Sequence, residues 1–122
     1  MSYHFKAIDH IQLAAPSGSE EKARAFFGEL LGFEELEKPE TLKKRGGVWF
    51  KSGTIQIHIG IEEPFSPAKK AHPALKVKHI EDLKKHLVKN NVPFAIDENL
   101  PGANRLYMDD PFGNRIEMLE WI

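Results

Sequence analysis

Apolar and polar residues alternate along Ala7-Ile8-Asp9-His10-Ile11-Gln12-Leu13, the period-two pattern of a half-buried strand, and Pro16, Ser17 and Gly18 end it. The period then lengthens. Ala23, Phe26, Phe27, Leu30 and Leu31 recur at i, i+3, i+4, i+7 and i+8, which predicts an amphipathic helix with Ser17 as its cap, Glu20 three residues on, and Gly32 as its stop. Phe33 to Leu36 reads as a strand, residues 39–47 as a polar loop, and Gly47 to Lys51 and Thr54 to Ile61 as two strands hinged at Ser52-Gly53. The order is strand, helix, three strands.

Residues 62–71, with Pro64, Pro67 and two lysines, have the composition of a connector. The same order then restarts. His72 to Val77 predicts a strand, and Ile80 to Lys89 a helix with Ile80, Leu83, Leu87 and Val88 on one face, ending at Asn90-Asn91. Val92 to Ile96, Arg105 to Met108 and Asn114 to Leu119 follow as three strands, the last two joined by the turn Asp109-Asp110-Pro111-Phe112-Gly113. The expectation is one α+β domain over residues 1–122, built from modules 5–61 and 72–122 around connector 62–71.

Composition narrows the setting. A chain of 122 residues, 41% hydrophobic and 29% charged, is long enough for one core without covalent staples. It has no cysteine, so thiol chemistry and thiolate metal sites are excluded and any metal must be held by nitrogen and oxygen. No apolar stretch is long enough to span a bilayer, no secretory signal opens the chain, and the default location is the cytoplasm. A net charge of −1 gives no reason to expect a nucleic-acid or membrane partner.

Strand parity shows which side chains share a face. If Ile11 and Leu13 cover the first helix, His10 and Gln12 point away from it; if Ile55, Ile57 and Ile59 do the same, Gln56 and His58 point away. In the second module Leu75, Val77, Ile116 and Met118 take the helix side. His72, Arg115 and Glu117 take the other, together with Arg105; Trp49 and Tyr107 share that parity and can stack on a substrate. Two imidazoles and a carboxylate suit Zn, Fe, Mn, Ni or Co and leave coordination positions open, so His10, His72 and Glu117 are candidate metal ligands. A buried Glu117 needs a cation or a basic partner. Arg105 and Arg115 can supply that charge or bind an anionic substrate. His4, His79 and His86 read as solvated or capping residues, Lys43-Lys44-Arg45 and Lys84-Lys85 as solvated surface, Asp109 and Asp110 as turn formers, and Glu120 as chemically idle.

Ile8-Asp9-His10-Ile11-Gln12-Leu13, Ala25-Phe26-Phe27-Gly28-Glu29-Leu30-Leu31-Gly32-Phe33, Ala71-His72-Pro73-Ala74-Leu75 and Asp109-Asp110-Pro111-Phe112-Gly113-Asn114-Arg115-Ile116-Glu117 together resemble the vicinal oxygen chelate superfamily. That superfamily includes glyoxalase I, fosfomycin-resistance thiol transferases, bleomycin-binding proteins and extradiol dioxygenases. The resemblance covers essentially the whole chain. It implies paired βαβββ modules forming an open barrel-like cleft, commonly completed in a homodimer, with His10, His72 and Glu117 at the metal-ligand positions. It places Gln56 where many relatives carry a further ligand, while chemistry favours His58 on the same face, with water as the alternative.

The expected function is metal-dependent lyase, isomerase or dioxygenase chemistry on a small oxygen-rich substrate, with Glu117 or His58 as base. The alternative is a metal-free binding protein of the bleomycin-resistance type, sequestering a small molecule in the same cleft. A third reading, Arg45-Gly46-Gly47-Val48-Trp49-Phe50 as an RNA-stacking strand, matches poorly and lacks the charge for it.

Overall fold

The computed structural model describes residues 2–122, which divide into two compact units, one ending at Phe65 and the other spanning Ser66–Ile122. Each is an open four-stranded mixed sheet with a helix on one face. The first unit contains β1 (Ile11–Ala15), α1 (Glu20–Ala23), β2 (Glu34–Leu36), α2 (Glu40–Lys43), β3 (Val48–Ser52) and β4 (Ile55–Ile61). The second contains β5 (Ala74–Lys76), α3 (Ile80–Lys89), β6 (Ala95–Asp97), β7 (Ala103–Asp109) and β8 (Arg115–Trp121). Strand orders β1-β4-β3-β2 and β5-β8-β7-β6 repeat one topology: in each unit the first strand runs parallel to the fourth, and the other neighbours are antiparallel. The pattern used twice in the sequence is thus used twice in space. Among the described residues no helix is long and apolar enough to cross a membrane.

Alternation decides what each sheet buries. In the first unit Leu13, Ala15, Val48, Phe50, Ile57 and Ile59 lie on one face, and Phe27 covers them with its ring centroid 5.5 Å from that of Phe50. α1 continues directly into π-helical turns at Arg24–Leu30, not the uninterrupted α-helix that the spacing predicts. The wider turn accommodates two consecutive buried rings, Phe26 and Phe27, on a face where α-helical geometry would separate them. Gly32, at φ +81°, then ends the segment as expected.

Several local expectations are corrected. Ser17 does not cap α1; its backbone N–H donates to Glu63, and Ser19 is the residue preceding the helix, without a side-chain cap bond. Glu20 reaches across the unit and accepts from the Gly47 N–H at 2.8 Å. Gly47 is required there, since a Cβ would lie 2.1 Å from the Ile59 carbonyl oxygen. The 39–47 loop contains α2, and Lys43 on it pairs with Glu37 and Glu40. β1 begins after His10, and β5 covers only part of the strand predicted from His72. β6 is likewise shorter than predicted, whereas β7 and β8 run longer.

The second unit buries Leu75, Leu106, Met108, Ile116 and Met118 with Ile80 and Leu87 of α3, but Val88 is exposed. Lys84 is half-buried and bridges Glu81 and Asn104, unlike the solvated lysine expected. Asp110 is a buried turn former: it accepts from the backbone N–H groups of Phe112 and Asn114 and from the Asn114 amide. Burial pushes its carboxyl above the usual range, against those hydrogen bonds. Glu120 is not idle. Its two oxygens accept from the Ile80 and His79 N–H groups, capping α3 from β8, because His79 at φ +61° offers no side-chain cap.

Two stability outcomes follow. Asp110→Ala removes the acceptor shared by the part-buried Phe112 N–H and the buried Asn114 N–H and should cost about 2–3 kcal/mol in urea unfolding. Hydrogen bonds from the Ile80 and His79 N–H groups hold the Glu120 carboxyl below its ordinary value of 4.5. Its contribution is therefore complete above that value and lost as pH falls through the lower, folded one. Glu120→Gln should lower Tm by about 5 °C at pH 7 and lose less than the wild type between neutral and acidic pH.

Candidate functional site

The face of each sheet turned away from its helix carries the polar residues. In the first unit the pairings Gln12↔His58 and Trp49↔His58 place these side chains side by side, with Gln56 beside Lys51. His58 is buried and sandwiched: its ring stacks on Trp49 at 4.0 Å on one side and on His10 at 4.0 Å on the other. Its Nε2 lies 3.3 Å from Gln56 Oε1. Burial, and then the neighbouring His10, lower its proton affinity, so it is neutral at pH 7. Trp49, expected to stack on a substrate, spends one ring face on His58.

The His10 ring is held by Asp9, whose Oδ1 lies 2.9 Å from Nδ1. A carboxylate oxygen can only accept, so Nδ1 carries the hydrogen and Nε2 of the neutral ring keeps the lone pair. The Gln12 side chain lies over Gly60, where a Cβ would be 2.5 Å from its Nε2.

In the second unit parity brings together His72, Arg105, Tyr107, Arg115 and Glu117. Tyr107 pairs with Glu117 across β7 and β8, and Ala74, two residues after His72, pairs with Glu117 across β5 and β8. Glu117 is 7% exposed, so its charge requires partners. Oε1 lies 3.0 Å from His72 Nε2, Oε2 accepts from Arg105 at 3.3 Å, and the Tyr107 side chain adds a further hydrogen bond. Burial acts to raise its pKa, but the His72 and Arg105 hydrogen bonds prevail and hold it below the usual carboxylate range. Arg105 is shared with Asp97, at 3.1 Å, and its Nε is buried without a partner.

The two arginines therefore separate in role. Arg105 neutralises Glu117. Arg115 lies over the Tyr107 ring at 4.0 Å and, among the described residues, has no carboxylate in salt-bridge range, so its donors are available to an anion.

The His72 contact is chemically specific. Its Nδ1 lies 2.7 Å from the Lys70 carbonyl oxygen, an acceptor, so Nδ1 carries a hydrogen. A neutral ring would then face the Glu117 oxygen lone pair to lone pair at 3.0 Å. That arrangement needs a second ring proton or a bound cation. His72 Nε2 and Glu117 Oε1 are donors of the types that a divalent cation takes, and the 3.0 Å between them is equally that of a hydrogen bond from a doubly protonated ring. Among the described residues no three His, Cys, Asp or Glu side chains are gathered as a metal cluster.

A family model described as Glyoxalase/Bleomycin resistance protein/Dioxygenase superfamily matches residues 7–118. A solved structure from Bacillus anthracis, described as a glyoxalase family protein, is 52% identical, with full coverage of both chains and a TM-score of 0.97. The fosfomycin resistance protein FosX from Listeria monocytogenes shares the fold at 15% identity, with 98% of this chain and 96% of that one covered and a TM-score of 0.77. Lactoylglutathione lyase from Agrobacterium tumefaciens does so at 19% identity, with 93% and 92% covered and a TM-score of 0.70. Among curated proteins none matches significantly.

Arg105→Met leaves both Glu117 and Asp97 without their guanidinium. Stability to urea should fall at pH 7, and the Glu117 carboxyl, followed by carbon-13 NMR, should titrate at higher pH than in the wild type.

Proposed function

We propose that this chain, which belongs to the glyoxalase, bleomycin resistance protein and dioxygenase superfamily, is a divalent-metal-dependent enzyme acting on a small oxygen-rich, anionic molecule. The observation that carries this reading is the His72–Glu117 contact, where an Nδ1 committed to the Lys70 carbonyl leaves Nε2 and a carboxylate oxygen converging at 3.0 Å. His72 and Glu117 would be two of the ligands. His10, with Nδ1 fixed by Asp9 in the same manner, would be the third, from the same chain or from the second chain of a homodimer.

A divalent cation held there would supply Lewis-acid stabilisation to a substrate oxygen as negative charge develops on it. Arg105 occupies Glu117 Oε2 and so leaves Oε1 as the ligating atom. The neutral imidazole of His58, whose Nε2 faces the Gln56 amide oxygen, would take up a substrate proton through Nδ1, with Glu117 as the alternative base. Arg115, spread on Tyr107, would bind an anionic substituent on the polar face of the second unit, and Trp49 would line the polar face of the first.

One observation favours a second reading, a metal-free small-molecule binder: Arg105 already gives Glu117 a positive partner. The two are separated by metal analysis. Protein stripped with chelator, reloaded with Zn, Mn, Fe, Ni or Co and gel-filtered should retain about one ion per chain. His72→Ala, Glu117→Gln and His10→Ala should each weaken retention by about tenfold or more. Retention equal in His10→Ala and wild type removes His10 from the ligand set. No retention by wild type refutes the metal-dependent reading.

A further inference from the structure

A cleft of about 360 Å³ opens on the polar face of the first unit, lined by His10, Gln12, Lys38, Arg45, Trp49 and His58 together with backbone and aliphatic surface. The volume lies in the range of small-molecule sites, roughly 300–1,000 Å³. Its charge is one-sided: no carboxylate lines it, whereas two cations do. Lys38 is half-buried, and its Nζ donates to the Gly46 carbonyl oxygen, a single neutral acceptor for three donors. Glu20, whose carboxylate accepts from the Gly47 N–H, acts on Lys38 at longer range but is not in salt-bridge range of it. Among the described residues the Arg45 side chain has no carboxylate in salt-bridge range, and it lies on the same loop beside the positive-φ glycines 46 and 47. A partly desolvated ammonium with no carboxylate in salt-bridge range among the described residues is weakly compensated, and an anion entering beside Arg45 would add the missing close partner.

The rest of the wall is also selective. The stacked Trp49, His58 and His10 rings present π surface and ring edges, and Gln12 contributes an amide held over Gly60. Gly60 has no side chain to occupy the space that the amide takes.

We infer that this cleft is an oxyanion subsite, in which Lys38 and Arg45 hold a carboxylate or phosphonate whose unsaturated body lies against the aromatic stack. This rests on the reading of the polar face as a substrate site, but not on its metal. Arg45, which reads as solvated surface in the sequence, and Lys38 thereby set substrate class from the first unit, separately from the anion-binding donors that Arg115 offers on the second.

Chelator-treated full-length protein titrated with phenylphosphonate, benzoate and neutral benzamide tests this. Both anions should bind and shift the Trp49 indole N–H resonance, assigned with a Trp121→Phe variant, and benzamide should bind about tenfold more weakly. The tighter anion identifies the oxyanion class. Lys38→Met and Arg45→Gln should each weaken anion binding by about tenfold, with Lys38→Arg largely restoring it. Arg45 is exposed, so its variant folds whatever becomes of Lys38→Met. The proposal is overturned if benzamide binds as well as the anions, if the Lys38 and Arg45 variants bind them undiminished, or if Arg115→Gln alone abolishes binding. Metal retention, measured separately on the same variants, should be unchanged. Loss of metal binding by wild type with anion selectivity intact would refute only the metal enzyme.

Discussion

A carboxylate withdrawn from water has to be met by positive charge, and in this chain Glu117 imposes that requirement on everything around it. Its position on β8 opposite Tyr107 and Ala74 is fixed by the alternation that buries Ile116 and Met118 on the other face. Register cannot slip by one residue without moving the carboxylate into the core and the isoleucine out of it. The burial that builds the second unit therefore also delivers Glu117 to the polar face. There Arg105 and His72 divide its two oxygens between them.

The first unit solves a different problem on its polar face. Its buried polar residue, His58, is a neutral ring, and stacking between Trp49 and His10 serves it where an ion pair serves Glu117. The stack also orients His10, which lies just ahead of β1 and so lacks a sheet register of its own. Asp9 and the His58 ring together replace what the strand does not supply.

The face assignments were legible because period two carries them: Ile57 against His58 and Ile116 against Glu117 allow one arrangement only. The paired topology was legible for the same reason, from two successive runs of strand, helix and three strands. Long-range polar contacts were not. Glu120 capping α3 from β8, and Glu20 reaching Gly47 in place of a capping box with Ser17, join residues whose separation along the chain has no pattern. The π-helical turns at Arg24–Leu30 escaped because Phe26-Phe27 fits an α-helical stripe on paper. The available signal was the pair of adjacent bulky rings. Lys38 was missed because a single lysine near Pro39 has no periodicity, and its importance lies in lacking an acid to pair with.

The division between Arg105 and Arg115 shows why residue type alone does not assign a role. Both project from the polar face, both approach Tyr107, and either could neutralise a buried glutamate. Arg105 sits opposite Leu119 and within reach of Asp97 from β6, so two acids anchor it, one through each terminal nitrogen. Arg115 pairs in register with Asp109, whose carboxylate leans toward Lys69, and its guanidinium is left on the tyrosine ring. An arginine already paired with carboxylates tunes the charge of a site, whereas one supported by an aromatic ring can still receive a ligand. Strand register thus assigns the first function to Arg105 and leaves the second to Arg115.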